Sequence, residues 1–271
     1  MTSATNIQFF EYQGSRLAYR VFGNGASILL AFHGFGQDGD VFQPLEATIG
    51  DRYTVFALDL FFHGGSYQPD RQLLTKKDWQ SLVAAFLRQQ AVDRFSLIGF
   101  SLGGRFALAT VEAFADRIDQ LILIAPDGIT ASFWYQLATG SAVGRKVFRH
   151  GLRHLSLLNT FGHALTKLGL LNRTVMRFAE ISLGTPEQRR LVFLTWTRFR
   201  LIWPDLTTTS TLLNEQSIRV QLFTGFFDRI VPGHYVLPLT KRLSRYEITV
   251  FKTGHNRLIE LTAEHLAQRS L

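Results

Sequence analysis

The stretch FSLIGFSLGGRFALATVEAF, residues 95–114, decides the fold of this 271-residue chain. Its mostly apolar first six residues predict a buried strand, and residues 102–114 follow with the pattern of a helix. Ser101 stands between them, flanked by Gly99 and Gly103 in the pattern G-x-S-x-G. A serine on a tight turn from a strand into a helix projects its hydroxyl group from the carboxyl edge of a sheet. The helix N-terminus behind it directs positive partial charge towards a developing oxyanion.

Strands and helices alternate on both sides of this stretch. Strands are predicted for short apolar runs that end in glycine or a polar residue, at 16–22, 27–33, 53–60, 95–100, 118–125, 220–224 and 246–252. Helical patterns lie between them, at 75–90, at 102–115, near 234–243 and from about 256 onwards. This alternation is typical of βαβ units. The predicted fold class is therefore α/β, with a mostly parallel central sheet and helices on both faces.

The alternation breaks between residues 127 and 206, where helical patterns occur without a convincing strand, one at 152–171 and a second around 186–203. We predict an α/β core formed by residues 1–126 and 207–271, interrupted by an α-helical cap at residues 127–206. The cap holds 11 Lys and Arg against 4 Asp and Glu, whereas the rest of the chain holds 18 against 17. Nearly all of the formal net charge of +8 therefore lies in the cap.

Aromatic and basic side chains in the cap suggest a pocket for an acidic substrate. The aromatic side chains expected to enclose an apolar pocket are Phe133, Trp134, Tyr135, Phe148, Phe161, Trp196, Phe199 and Trp203. We expect no nucleic-acid partner, because most of the cap aromatics are predicted to point inward.

Composition excludes several kinds of protein. The chain has no cysteine, which excludes disulfides, Cys-ligated metals and thiol catalysis. No group of histidine and carboxylate residues has metal-ligand spacing, and we expect neither a metal nor a cofactor. The opening residues do not have the pattern of a signal peptide, and no run of 18 apolar residues is free of charge. We therefore expect a cytoplasmic protein without a membrane span.

A nucleophilic serine requires a base and an orienting acid, which follow it on such a scaffold in the order Ser, Asp or Glu, His. Asp228 follows the strand VQLFTG, and His255 follows the strand YEITVFKTG. Because parallel strands present their carboxyl ends at one edge of a sheet, these residues are expected to meet Ser101 there. We predict a catalytic triad of Ser101, His255 and Asp228.

An oxyanion hole requires two converging backbone N–H groups. One is predicted at Leu102, directly after the nucleophile, and the other at Phe35, in the glycine-rich loop that follows strand 27–33. His33 precedes this loop and is expected to hold it by a side-chain hydrogen bond.

A competing motif overlaps this loop. Residues 34–39 read G-x-G-x-x-G after a strand, and Asp59 ends the next strand, as in a dinucleotide-binding fingerprint. Dinucleotide binding would leave the positions of Ser101, Asp228 and His255 unexplained. The oxyanion loop is therefore the favoured interpretation.

The chain resembles the α/β-hydrolase superfamily, in its serine-nucleophile, esterase-like or lipase-like branch with a helical cap. The residues that carry the resemblance are HGFG at 33–36, Asp59, HGGS at 63–66, GFSLG at 99–103, Asp228 and His255. The resemblance covers about residues 16–126 and 207–271. It implies a hydrolase that cleaves a carboxylic ester or a similar acyl substrate through an acyl-enzyme.

A narrower likeness suggests an alternative. GFSLGGR, HGGS and GHN look like the menaquinone-pathway synthase, a lyase that eliminates pyruvate from a succinyl-cyclohexadiene carboxylate. That resemblance implies that Arg105 holds a substrate carboxylate and that arginines of the cap assist it. Guanidinium groups bind carboxylates in a bidentate manner, and the cap candidates are Arg145, Arg149, Arg153, Arg173 and Arg177. A solvated face is the alternative for these arginines. A third interpretation is a non-catalytic protein that uses the fold to bind a ligand.

Overall fold

The computed structural model describes residues 6–70 and 72–268. Its strands are β1 (Gln8–Tyr12), β2 (Ser15–Phe22), β3 (Ser27–Phe32), β4 (Tyr53–Leu58), β5 (Phe95–Phe100), β6 (Ile118–Ile124), β7 (Arg219–Gly225) and β8 (Glu247–Phe251). They form one sheet in the order β1-β2-β4-β3-β5-β6-β7-β8. The pairs from β4 to β8 are parallel, and β2 pairs antiparallel with both β1 and β4. The predicted mostly parallel sheet is confirmed.

The α-helices are α1 (Pro44–Ile49), α2 (Lys76–Gln89), α3 (Leu102–Phe114), α4 (Phe133–Thr139), α5 (Ala142–Arg153), α6 (Leu155–Lys167), α7 (Arg173–Leu183), α8 (Pro186–Arg198), α9 (Leu206–Glu215), α10 (Leu237–Thr240) and α11 (Leu258–Gln268). Short 3-10 turns occupy Gly39–Phe42, Ala115–Arg117 and Gly233–Val236. Among the helices in the two described ranges, none combines the length and the apolar character that crossing a bilayer demands.

Helices cover both faces of the sheet. On one face Trp79 of α2 and Phe106 of α3 belong to a large buried cluster, and on the other face Leu45 of α1 and Leu266 of α11 do so. All six residues of β5 are buried, which explains why this strand has an almost continuous apolar sequence. The carboxyl end of β5, where Ser101 follows, is therefore held from both sides.

An N-terminal hairpin was not predicted. β1 and β2 are joined by a tight turn at Gln13 and Gly14, whose φ angles are 48° and 77°. Because β1 has only one buried residue, Phe10, its apolar signal in the sequence is weak. The hairpin adds two antiparallel strands at one edge and lies far along the sheet from β7 and β8.

Helices α4 to α8, here called the cap helices, lie in the chain between β6 and α9. A continuous helical pattern was predicted across residues 152–171, but His154 interrupts it with φ −114° and ψ 63°, outside the helical range. The helix predicted near 234–243 is also shorter, because a 3-10 turn at Gly233–Val236 precedes a four-residue α10.

Not all of the cap aromatics point inward. Phe133, Trp134 and Phe161 are 68%, 37% and 56% exposed, so for these three the expectation of an internal lining is wrong. The physical reason is that the interior of the cap is small. Of the other five aromatic side chains, Phe199 is buried. The remaining four are half-buried and pack against other aromatic rings, and they are Tyr135, Phe148, Trp196 and Trp203.

Candidate active site

Ser101 occupies a strained turn between β5 and α3. Its φ and ψ angles are 50° and −116°, a conformation that residues other than glycine rarely adopt. Its backbone N–H donates to the carbonyl oxygen of Ile124 at 2.9 Å, and its own carbonyl oxygen accepts from Gly104 at 2.9 Å. Within the described structure the Ser101 hydroxyl group does not cap α3, so it is not held away from the sheet edge.

The glycines around Ser101 allow the helix to approach the sheet. A Cβ atom at Gly103 would lie 1.8 Å from the carbonyl oxygen of Phe32 in β3, and one at Gly99 would lie 2.6 Å from the carbonyl oxygen of Gly103. Both distances are far below van der Waals contact. The G-x-S-x-G spacing therefore follows from the close packing of α3 against β3 and β5.

Asp228 and His255 are in direct contact. Nδ1 of His255 lies 2.6 Å from Oδ2 of Asp228, whose side chain is fully buried. The other carboxylate oxygen of Asp228 accepts from the backbone N–H groups of Ile230 and Val231 at 2.8 and 2.9 Å. These donors fix the orientation of the carboxylate. With the Nδ1 proton donated to Asp228, Nε2 of His255 is the basic nitrogen.

The ring of His255 lies beside the turn that carries Ser101. Its centroid is 4.9 Å from that of Phe100, the residue directly before Ser101. In residues 6–70 and 72–268, no hydrogen bond joins the hydroxyl group of Ser101 to His255. Such bonds are often long without substrate and tighten in the reacting complex. The structure thus joins Asp228 to His255 and brings His255 to the neighbour of Ser101.

Two backbone donors are available at this edge. Within the described chain, the N–H groups of Phe35 and Leu102 have no protein acceptor. The loop that carries Phe35 is ordered by Gln37, whose Oε1 accepts from the N–H of Gly34 at 3.1 Å. Two free donors on ordered backbone are what an oxyanion hole requires.

His33 holds the same loop, as predicted. The backbone N–H of Leu60 donates to its Nε2 at 2.9 Å, so Nδ1 carries the proton and donates to the carbonyl oxygen of Gly34 at 2.7 Å. Burial lowers the pKa of His33 to about 4. His63 packs edge-on against His33, with centroids 5.1 Å apart, and burial followed by the charge of His33 lowers the pKa of His63 to about 3. Both rings are neutral structural groups near pH 7.

Arg105 lies in the first turns of α3, directly behind the nucleophile. It is 3% exposed, its Nη2 pairs with Asp127, and its Nη1 donates to the hydroxyl group of Tyr135 at 2.8 Å. Its guanidinium carbon lies 4.7 Å from the ring centroid of Tyr135 and 4.6 Å from that of Trp203. Burial is the largest single influence and lowers the pKa of Arg105, but the charges of and hydrogen bonds to Asp127 and Tyr135 together outweigh it, and the pKa is raised overall. The residue predicted to hold a substrate carboxylate is paired with a carboxylate of the protein.

The five cap arginines are distributed over the cap helices. Arg145 donates to the carbonyl oxygen of Thr139 at 2.8 Å, and Arg149 lies over the ring of Phe193 at 4.6 Å. Both line a cavity of about 230 Å³. Arg173 and Arg177 line a second cavity, of about 690 Å³, between α6 and α7, and Arg153 is exposed.

Asp59, the acidic residue of the competing dinucleotide motif, is fully buried. Its carboxylate accepts from Arg20 at 2.6 Å and from the N–H groups of Gly39 and Gly65 at 2.8 and 2.9 Å. These bonds tie Asp59 to the protein and not to the surface where a ribose would bind. Among the described residues, no three His, Asp or Glu side chains converge on a common metal position.

Sequence reasoning missed Asp127, and it missed the contact of Tyr135 with Arg105. Asp127 comes directly after β6, at the same sheet edge as Ser101, so its position after a strand was an available signal. Tyr135 gives no comparable signal, because its contact with Arg105 depends on how α4 packs. Gln37 was also missed, although it lies within the quoted glycine-rich loop.

The model of the alpha/beta hydrolase fold family matches residues 27–260. The chain belongs to this family. The match covers β3 to β8 together with the cap helices.

Curated relatives match part of this chain. A pimeloyl-[acyl-carrier protein] methyl ester esterase of Aliivibrio salmonicida is 33% identical over 109 residues, which cover 40% of this chain and 39% of that protein. The uncharacterized protein Rv2715 of Mycobacterium tuberculosis is 33% identical over 124 residues, 46% of this chain and 36% of the relative. The chain thus spans little more than a third of the length of these two relatives.

A solved structure matches over nearly the whole length. The enol-lactonase from Burkholderia xenovorans LB400 superposes with a TM-score of 0.68 at 17% identity, covering 96% of this chain and 96% of that chain. At this identity the likeness concerns the fold alone. It extends the fold agreement to the cap and to the strands that carry Asp228 and His255.

Proposed function

We propose that this protein is a serine hydrolase that cleaves a carboxylic ester or a similar acyl substrate. The observation that carries the proposal is the 2.6 Å contact between Asp228 and His255 beside the strained turn of Ser101. A buried carboxylate that orients a histidine next to a serine at a sheet edge is the arrangement that activates a hydroxyl nucleophile. Family membership and an esterase among the relatives support the same reaction class.

The reaction proceeds in two steps through an acyl-enzyme. His255 Nε2 takes the proton of Ser101 as Oγ attacks the carbonyl carbon, and the N–H groups of Phe35 and Leu102 stabilise the oxyanion. His255 then protonates the leaving alcohol. In the second step His255 activates a water molecule, which releases the acid and restores Ser101. Asp228 holds the Nδ1 tautomer and stabilises the imidazolium in both steps.

The test is hydrolysis of a series of p-nitrophenyl esters from acetate to decanoate. We expect turnover that depends on chain length, and a loss of kcat on the order of 10⁴-fold or more in Ser101→Ala. Ser81→Ala, at a half-buried helical serine in α2, is the matched control and is expected to keep wild-type turnover. Near-wild-type turnover in Ser101→Ala contradicts the mechanism.

A second readout tests the nucleophile without knowledge of the substrate. An alkyl fluorophosphonate should add one phosphonyl group to Ser101, detected by intact mass and peptide mapping, and the Ser101→Ala protein should stay unmodified. An unmodified wild-type protein that is folded favours the non-catalytic binding alternative.

The pyruvate-eliminating lyase remains the alternative within the same residues. It requires a substrate carboxylate on Arg105, whereas that guanidinium pairs with Asp127 and Tyr135. These contacts favour a positioning role for Arg105 over direct substrate binding. Pyruvate release without ester turnover is the result that would reverse this preference.

A further inference from the structure

The cap helices expose large apolar side chains to solvent. Side chains that are more than half exposed occur on α5, on α6 with the turn that follows it, and on α7. They are Val143, Val147, Phe161, Leu168, Leu170 and Ile181. Val143 and Val147 are four residues apart, so they lie on one side of α5. A surface helix normally turns such a stripe towards the core, and these helices present apolar residues outward as well.

The interior of the cap does not account for these residues. Its buried cluster consists of Leu152, Leu183 and Val192, with further side chains only partly buried around it. On α5, Leu152 faces this cluster while Val143 and Val147 face solvent. The outward stripe is therefore additional to the residues that hold the cap together, and it requires another explanation.

Cationic side chains alternate with the exposed apolar ones. Residues 133–184 contain seven Lys and Arg and a single carboxylate, Glu180. Exposed cations are direct sequence neighbours of exposed apolar residues: Lys146 precedes Val147, and Lys167 precedes Leu168. Apolar side chains among lysines and arginines are typical of helices that lie in the boundary between lipid headgroups and acyl chains.

Charge identifies the occupant of this surface. A second copy would bring two strongly cationic surfaces together, and like charges repel. Nucleic acid would satisfy the cations, but five of the six apolar side chains are aliphatic, and Phe161 alone among them offers a ring on which a base can stack. We propose that the outer faces of α5, α6 and α7 dock on an anionic phospholipid surface. The aliphatic side chains enter the acyl boundary, and the cations contact the lipid phosphates.

The groove between α6 and α7 fits a lipid headgroup. This cavity of about 690 Å³ is lined by Lys167, Arg173 and Arg177, with Met176 at its base. Its one carboxylate, Glu180, is paired with His163 at 3.0 Å. The cations are thus in excess at the point where Leu168 and Leu170 extend outward.

The proposal is tested by sedimentation with large unilamellar vesicles. We expect the full chain to bind vesicles of phosphatidylcholine and phosphatidylglycerol at least tenfold more tightly than vesicles of phosphatidylcholine alone. Raising the salt concentration should weaken this binding, because the headgroup contacts are screened. The Ser101→Ala protein should bind equally well, so the result does not depend on the proposed catalytic function.

Two pairs of variants locate the surface. Lys146→Glu with Arg177→Glu should weaken binding to the anionic vesicles by roughly 30-fold or more, judging from about fivefold per cation. The matched control, Arg88→Glu with Lys241→Glu, makes the same change in net charge at exposed sites outside the cap and should have little effect. Val147→Ser with Leu168→Ser should weaken binding, whereas Ile248→Ser with Val250→Ser, on the exposed strand β8, should not.

Several results would overturn the proposal. Equal affinity for neutral and anionic vesicles, or no binding to either, contradicts it directly. Equal losses of affinity for the anionic vesicles in the cap variants and the control variants would mean that net charge, and not this surface, drives binding. If the cap variants instead convert a dimer to a monomer in sedimentation equilibrium, the occupant is a second copy of the chain.

Discussion

The backbone N–H of Asp127 donates a hydrogen bond of 2.8 Å to the carbonyl oxygen of Ser101. The side chain of Asp127 pairs with Arg105, whose guanidinium carbon lies 4.7 Å from the ring centroid of Tyr135 and 4.6 Å from that of Trp203. One ion pair, with Arg105 buried and Asp127 partly exposed, therefore connects the turn of Ser101 and the start of α3 to two aromatic residues outside the sheet.

The ion pair is expected to dominate local stability. Asp127→Ala leaves the buried guanidinium of Arg105 without its counter-charge, which should lower the free energy of unfolding by about 3–5 kcal/mol. Urea denaturation measures this loss. The control is Asp119→Ala, because the Arg94–Asp119 pair is more than half exposed on both sides and should contribute about 1 kcal/mol or less. Similar losses in the two variants would contradict the structural role of Arg105.

Because Ser101 is strained, glycine and alanine at this position should differ in their effect on the free energy of unfolding. Ser101→Gly should raise the free energy of unfolding by about 1 kcal/mol, because glycine adopts a φ of 50° without steric cost. Ser101→Ala keeps the Cβ atom and should give no such gain. Both variants should lose esterase activity. Equal stability of the two in urea denaturation would show that the turn is not strained.

Asp228→Asn should reduce kcat by a factor on the order of 10⁴ with little change in stability. The amide oxygen can still accept from Ile230 and Val231, but the amide does not stabilise the His255 imidazolium as a carboxylate does. Steady-state hydrolysis of the best p-nitrophenyl ester, beside urea denaturation, separates the two effects. Asp119→Asn, at an exposed carboxylate, serves as control. A fall of less than tenfold would remove Asp228 from the mechanism.

The buried histidines predict a loss of stability in mild acid. The pKa of His33 is lowered to about 4 and that of His63 to about 3. Below pH 6.5 these two side chains therefore bind protons in the unfolded chain, whereas in the folded chain they stay neutral until the pH reaches their lowered pKa values. The free energy of unfolding therefore falls as the pH falls from 6.5 through 4 and towards 3. Between pH 6.5 and 5 the two histidines together should lower the free energy of unfolding by about 2–4 kcal/mol.

Urea denaturation at several pH values checks this dependence. His63→Gln should remove roughly half of the loss between pH 6.5 and 5, because one of the two titrating rings is absent. His234→Gln, at an exposed histidine, should keep the full loss. A pH dependence that is the same in all three proteins would assign the acid sensitivity to other groups.

The candidate site was predictable where it depends on position along strands. Ser101, Asp228 and His255 each follow a strand of the parallel sheet, and the rule that such strands end at one edge brings them together. The pairing of Arg105 with Asp127 was not predictable, because it depends on how deeply α3 is buried and on the packing of α4. The exposed positions of Phe133 and Phe161 likewise depend on how little interior the cap helices enclose. β1 was missed because only Phe10 in it is buried.

The placement of the three candidate residues along the chain has a consequence for folding. Ser101 follows β5, whereas Asp228 and His255 follow β7 and β8, which join the sheet only after the cap helices have been closed into a loop. Strand pairs between distant segments form late, because the entropy of closing that loop is lost before their contacts form. During refolding from urea, we therefore expect the turn of Ser101 to form before His255 reaches it. In the proposed hydrolase, the time at which activity returns during refolding therefore reports when β7 and β8 dock on the sheet.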